Sequence, residues 1–219
     1  ERDFAFAEKF GLQIKEVILK KVGDKKEAAQ RQDAVFGIIE NSKKEILIQY
    51  NKVNNQWRLP GGAIDEDETI EEALKREIVE ETGYTDFKVE RYIGAVDANF
   101  LAIPKNIERT RISKAYFVGL FSEKRQETKW GVHEDLEHVW MSPKDGIRKL
   151  EQNEYMGEAE LLRRWFEKDF CYANVGVLVN SGEFDGMESE EAKRAITEFV
   201  GGEMKTTYKL RDWVFSRQR

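Results

Sequence analysis

The sequence predicts an α/β fold: a mixed β-sheet between layers of helices, with a small satellite built from the two ends of the chain. Three observations lead there. Between residues 33 and 170, apolar runs of strand length alternate with amphipathic helical segments, the pattern of a sheet packed between helices. One helical segment, 69–82, carries clear start and stop signals. The ends, 1–32 and 171–219, hold two further strand-like runs, "LQIKEVI" and "VGVLVNS", whose backbone groups need partners.

The elements follow in order. "AVFGIIE" (34–40) and "EILIQY" (45–50) flank the polar turn "NSKK" and predict a hairpin. Thr69 followed by Glu72 forms a capping box that starts a helix, and Gly83 supplies the left-handed residue that stops it. Strands are expected at 87–96, 112–121 and 137–141. Ser142-Pro143 opens a short helix ending at Leu150. A longer one spans 156–168, with Leu161, Leu162, Trp165 and Phe166 as its apolar face. In the C-terminal flank a helix at about 189–200 presents Ala192, Ile196 and Phe199 to cover the satellite. The charged stretch "KKVGDKKEAAQRQD" (20–33) reads as a surface linker.

Composition bounds the function. With 36 Lys and Arg against 42 Asp and Glu, the formal net charge is −6. This argues against a general nucleic-acid-binding surface while leaving room for local basic patches. The single cysteine, Cys171, has no internal disulfide partner and suits a buried apolar role. The two histidines, His133 and His138, lack cysteines at zinc-binding spacing. No apolar run approaches the length of a membrane span, and no secretory signal is visible, so the chain reads as soluble and cytoplasmic.

The chemistry concentrates in helix 69–82. At roughly 100° per residue, Ile70, Ala73, Leu74 and Ile78 form one apolar stripe. Glu77 and Glu81 project from the middle of that stripe and Glu80 from its edge, whereas Glu72, Lys75 and Arg76 point elsewhere. Surface acids belong opposite the apolar face. Burying several carboxylates together costs several kcal/mol each unless cations compensate. A hard divalent cation with oxygen ligands supplies that compensation; internal Arg or Lys pairs are the alternative.

The wider spacing is specific. Gly62, five residues, Glu68, seven residues, Arg76-Glu77-Ile78, one residue, Glu80-Glu81, one residue and Gly83-Tyr84 match the signature of the Nudix hydrolases, GX5EX7REUXEEXGU with U apolar, at every fixed position. The lead-in "WRLPG" (57–61) resembles the usual entry to that box. Asp67, where family members often carry Gly, departs from the pattern outside the signature and bears on loop shape alone. The resemblance implies the Nudix α/β/α sandwich, with a mixed sheet, over residues 33–170. It also implies Mg²⁺ or Mn²⁺ held by Glu77, Glu80, Glu81 and a backbone carbonyl carried over to Gly61 or Gly62. Arg76 then orients a glutamate through a bidentate pair, and Glu68 stands behind the metal ligands. Glu77 and Glu80 act through the metal on a phosphoanhydride. For the general base the loop "KWGVHEDLEH" offers Glu134, with Glu137 second. Arg58 and Phe100 are candidate substrate contacts; Trp57 is an alternative stacking surface that suits the core better.

The ends resemble a different family. "ERDFAFAEKFGLQIKEVI" (1–18), "LVNSGEFDG" and "LRDWVFSRQR" are similar to leucyl-tRNA synthetase, in the order that family uses, at the end of its editing domain and the return to its catalytic domain. Asp3 matches an aspartate of the editing pocket, but most of that pocket is missing, as are motifs like HIGH and KMSKS. The resemblance implies a Nudix domain inserted in a synthetase-like polypeptide, with tRNA a possible partner through the parent. Two functions follow: a metal-dependent hydrolase of a nucleoside diphosphate linked to another moiety, or an idle structural or tRNA-contacting insert. The intact box favours the first.

Overall fold

A computed structural model describes residues 2–102, 106–128, 135–153 and 157–206. In chain order its elements are α1 (Arg2–Phe10), β1 (Ile18–Val22), β2 (Gln30–Arg31), β3 (Ala34–Glu40), β4 (Ile46–Asn51), β5 (Gln56–Arg58), β6 (Gly61–Ala63), α2 (Ile70–Thr82), β7 (Phe87–Ala102), β8 (Ile107–Leu120), β9 (Leu136–Met141), α3 (Pro143–Leu150), α4 (Glu158–Glu167), β10 (Val177–Leu178) and α5 (Ser189–Phe199). The strands run in the order β10-β1-β7-β8-β3-β4-β5, with β2 on β8, β6 on β3 and β9 on β4. The sheet is mixed: β3 lies parallel to β8, and β7 antiparallel to β8.

Strand β3 is apolar from Ala34 to Ile39 because both of its faces are covered there. Phe36 and Ile38 point to one core, shared with Ile147, Leu161, Leu162 and Trp165 of α3 and α4. Val35 and Ile39 point to the other, shared with Leu74 and Ile78 of α2. Each fully buried Leu or Ile contributes roughly 2 kcal/mol. Helix α2 begins at the Thr69–Glu72 capping box, with both reciprocal hydrogen bonds present, and ends at Gly83 with φ 75°. Pro143 follows the Ser142 cap of α3, whose side chain accepts from the Asp145 N–H.

Strands β7 and β8 extend beyond 87–96 and 112–121, to Ala102 and back to Ile107. Their polar outer ends are held by pairing such as Asn99 with Thr110 and Phe100 with Arg109, which a single-strand pattern does not show. Helix α4 is seen from Glu158; Met156, in the expected start, lies outside the described residues.

The flanks require corrections. Where a strand is expected at 12–18, Leu12, Ile14 and Val17 are exposed and the strand is instead Ile18–Val22. It begins there because its partners do: Ile18 pairs with Leu178, and Lys20 with Val96. The two flanks thus meet at one edge of the domain, where β1 pairs with β10 and joins the main sheet through β7. The expected linker 20–33 is strand at both ends, since Gln30 and Arg31 pair with Arg109 and Thr110. Residues 2–10 form a helix none of whose residues is fully buried. Of the expected α5 face, Ala192 is buried whereas Ile196 and Phe199 are exposed. Cys171 is half-buried. The segment "LRDWVFSRQR" lies outside the described residues.

Candidate active site

The site is built where β6 passes beneath α2. Gly61 has φ 142°, and a Cβ there would sit 2.2 Å from the Val35 carbonyl oxygen. Only glycine permits this approach. It brings the Gly61 N–H to Glu81 Oε2 at 2.9 Å. Arg58, three residues upstream on β5, turns its guanidinium back to the Gly61 carbonyl and to Glu81 Oε1, the latter at 2.7 Å. Glu81 is 2% exposed, so its carboxylate is compensated by one backbone donor and one arginine.

Gly62 serves Glu77. A Cβ at residue 62 would lie 2.4 Å from Glu77 Oε1, so the carboxylate rests directly on the glycine backbone. Burial pushes the Glu77 carboxyl above its usual range, opposed by the Arg76 and Arg58 cations. Arg76 grips Glu68 in a bidentate pair at 2.8 and 2.9 Å, donates to Glu77 at 2.8 Å and to the Ala63 carbonyl at 3.1 Å, and reaches Glu80 at 3.4 Å. Its hydrogen bonds hold the Glu68 carboxyl below the usual range. The guanidinium itself is shifted upward, led by the Glu68 contact. Glu80 is largely exposed, at the rim.

The predicted residues Arg58, Gly61, Glu68, Arg76, Glu77, Glu80 and Glu81 are therefore drawn together by β5, β6 and α2. Among the described residues no three His, Cys, Asp or Glu side chains form a ready metal cluster; two guanidinium groups lie among the carboxylates, so the arginine compensation weighed from the sequence is the arrangement seen. Glu134 lies outside the described residues. Glu137 is exposed on β9, 3.6 Å from Lys52. Trp57 packs against the core beside α3 and α4 and meets Tyr50 at 4.8 Å.

Phe100 leads to a group not anticipated from the sequence. The Arg111 guanidinium lies 4.6 Å from the Phe100 ring centroid and 5.0 Å from that of Phe36. It donates to Ser113 Oγ at 2.9 Å and to Glu158 at 3.3 Å. Glu158, 2% exposed, also accepts the Leu59 N–H at 2.7 Å. Burial lowers the Arg111 pKa to about 10 and raises that of Glu158. The signals were present: Arg111 alternates in phase with Ala115 and Phe117, and Glu158 precedes Leu161, Leu162 and Trp165 by 3, 4 and 7 positions.

Comparison with known proteins agrees with this fold. The family model described as NUDIX domain matches residues 30–165, more than half of the chain and close to the expected 33–170. A solved MutT protein from Methanosarcina mazei Go1 shares the fold at 24% identity, with a TM-score of 0.50, covering 64% of this chain and 96% of that one. Leucine–tRNA ligase of Sorangium cellulosum is 58% identical over 53 residues, 22% of this chain and 6% of the ligase. The ligase alpha subunit of Aquifex aeolicus is 55% identical over 58 residues, 25% of this chain and 9% of that subunit. The chain thus spans less than a tenth of the length of these two ligases. With its signature residues gathered around β6 and α2 and the matching model spanning most of its length, the chain belongs to the NUDIX family.

Proposed function

We propose that the chain is a Mg²⁺-dependent pyrophosphohydrolase acting on a nucleoside diphosphate linked to another moiety. The observation that carries this reading is the convergence of Glu77, Glu81 and the Gly61 carbonyl on one small region of β6, with Glu80 at its exposed rim. These donors are all oxygen, the set a hard divalent cation takes. They fit the ion once the Arg58 guanidinium yields its position between Glu81 and Gly61. Glu77, Glu80, Glu81 and Gly61 would then hold Mg²⁺ or Mn²⁺, which supplies charge stabilisation at the phosphoryl oxygens when bound.

The chain's own residues do the rest. Arg76 fixes Glu77 through a charged hydrogen bond while Glu68 fixes Arg76 from behind, so Arg76 positions the acids without touching substrate. Arg58, released from Glu81, becomes a cation for the substrate phosphates. Phe100, beside Arg111, is the assigned contact for a substrate ring. Glu134 is assigned the proton from the attacking water.

The ligase likenesses support a second layer: this domain is carried within a leucine–tRNA ligase-type polypeptide in the cytoplasm, with tRNA as a partner of that whole. The test measures phosphate and nucleotide release over a panel of nucleoside diphosphate derivatives, with Mg²⁺ and with chelator. Chelator-sensitive release from at least one derivative is expected. No release from any of them, together with no Mg²⁺ binding by calorimetry, would leave the idle insert as the function.

A further inference from the structure

The sheet is covered unequally. On one face α4 reaches as far as β1, where Lys20 meets Glu160 at 2.8 Å. On the other, the core under α2 is drawn from β3, β4 and the distal ends of β7 and β8, while Lys21, Asp97, Ile112 and Lys114 share that face by strand alternation. There the sheet is left as the floor of a cleft of about 740 Å³, walled by Ile70 at the start of α2 and by Val179, Asn180, Asp185 and Gly186 from the C-terminal flank. This lies within the size of small-ligand sites, roughly 300–1,000 Å³. None of Glu68, Arg76, Glu77, Glu80 or Glu81 lines it.

The cleft is cationic on a chain whose formal net charge is −6. Its acids are mostly engaged. Glu188 pairs with Lys21 at 2.7 Å, Glu16 accepts from Tyr92 at 2.6 Å and from Arg164 at 3.3 Å, and Asp185 accepts the Ser181 N–H. Arg31 is held by Asp33 at 2.9 Å. Lys15, Lys25 and Lys114 also line the cleft and, among the described residues, make no hydrogen-bonded ion pair; Asp97 is the acid left among them. Beside them Tyr116 and Tyr92 stand 5.2 Å apart, ring to ring. Cations that track phosphate beside aromatic faces that stack a base are how sheet surfaces hold single-stranded nucleic acid and its monomers.

We propose that this cleft is a second binding site, separate from the carboxylate site, for a nucleotide unit whose phosphate meets Lys25 and Lys114 and whose ring lies against Tyr116. It does not depend on the hydrolytic reading. The unit arrives either as a free mononucleotide or as part of a single strand.

The test is equilibrium binding in chelator, so that metal chemistry contributes nothing, using AMP, a labelled single-stranded tetranucleotide and inorganic tripolyphosphate as probes. Saturable binding of AMP or the tetranucleotide is expected; the one that binds more tightly identifies the source. The Lys25→Gln, Lys114→Gln double variant should weaken it about tenfold and lower the salt slope by roughly 0.7 for each phosphate the lysines no longer neutralise. Tyr116→Leu should weaken nucleotide binding while sparing tripolyphosphate. Absence of binding by both nucleotide probes at about 1 mM, or binding that the lysine variant leaves intact in a chain with unchanged circular dichroism, would overturn the proposal. Tripolyphosphate binding as tight as that of the nucleotides would overturn the ring contact.

Discussion

Two buried glutamates clamp the segment Leu59–Gly61 from opposite faces of the sheet. Glu81 of α2 accepts the Gly61 N–H and meets Arg58; Glu158 of α4 accepts the Leu59 N–H and meets Arg111. Each is 2% exposed. Burial, backbone donor and arginine partner are matched, yet the surroundings differ. The α2 pair adjoins Glu77 and the exposed Glu80, with Arg76 running along the rim. The α4 pair is enclosed, its arginine stacked by Phe36 and Phe100 and bonded to Ser113. A buried ion pair is weak evidence of any particular role. What sets the proposed chemical site apart from the scaffold clamp is its adjoining carboxylates, of which Glu80 is exposed to solvent.

The largest expected effect tests the chemical side. Glu77→Gln and Glu80→Gln should each lower hydrolysis at least about 100-fold, with the thermal midpoint within about 4 °C of the parent. A loss below tenfold in both would put the chemistry elsewhere.

The scaffold side predicts the reverse pattern for Glu158→Ala. Removing that carboxylate strands a buried guanidinium and the Leu59 N–H, at a cost of about 3–5 kcal/mol in urea unfolding. A cost under about 1 kcal/mol would mean that Arg111 finds another partner and that the symmetry of the two clamps is superficial.

Gly62→Ala sharpens the contrast further. The three heavy atoms nearest the new Cβ all belong to the Glu77 carboxylate. Hydrolysis should therefore fall about tenfold or more, since displacement of a functional group by about 1 Å costs up to 10². Unfolding free energy should change by less than about 1 kcal/mol.

The smallest effect concerns the anchoring of α2. His138 bonds the Glu81 backbone and lies 3.1 Å from an Arg125 nitrogen; burial first, and Arg125 second, lower its pKa from 6.5 to about 4. Between those values the unfolded chain binds a proton that the folded chain refuses, so stability falls as pH falls through that window. His138→Gln should flatten this slope in urea midpoints measured on both sides of pH 6. An unchanged slope would assign the acid sensitivity to other groups.

The α2 side of the comparison was legible because its signals are local. Thr69, Glu72 and Gly83 mark the helix ends, and one turn of arithmetic places Glu77 and Glu81 on the apolar stripe. The α4 side was equally local in its spacing, but a single acid at the head of a helix resembles ordinary charge at a positive dipole end. Only its contact with Arg111, 47 residues away, distinguishes it. Arg58 illustrates the same limit: a cation before the box suggests a substrate contact, and nothing in its neighbours predicts that it turns back onto Glu81. The flanks were the least legible. "LQIKEVI" has strand composition, yet the strand begins at its last residue, because β1 takes its hydrogen bonds from β7 and β10.

By itself the sequence determined the Nudix signature, the limits of α2, the apolar β3–β4 pair and the burial of two acids among the helix's hydrophobic residues. All of these follow from periodicity and capping within one or two turns of chain. Tertiary structure alone decided which cation each acid meets, that the two flanks join the main sheet, and that a basic cleft opens beside α2. Those depend on pairings between segments far apart in sequence, where strand register and side-chain reach, not local propensity, select the partner.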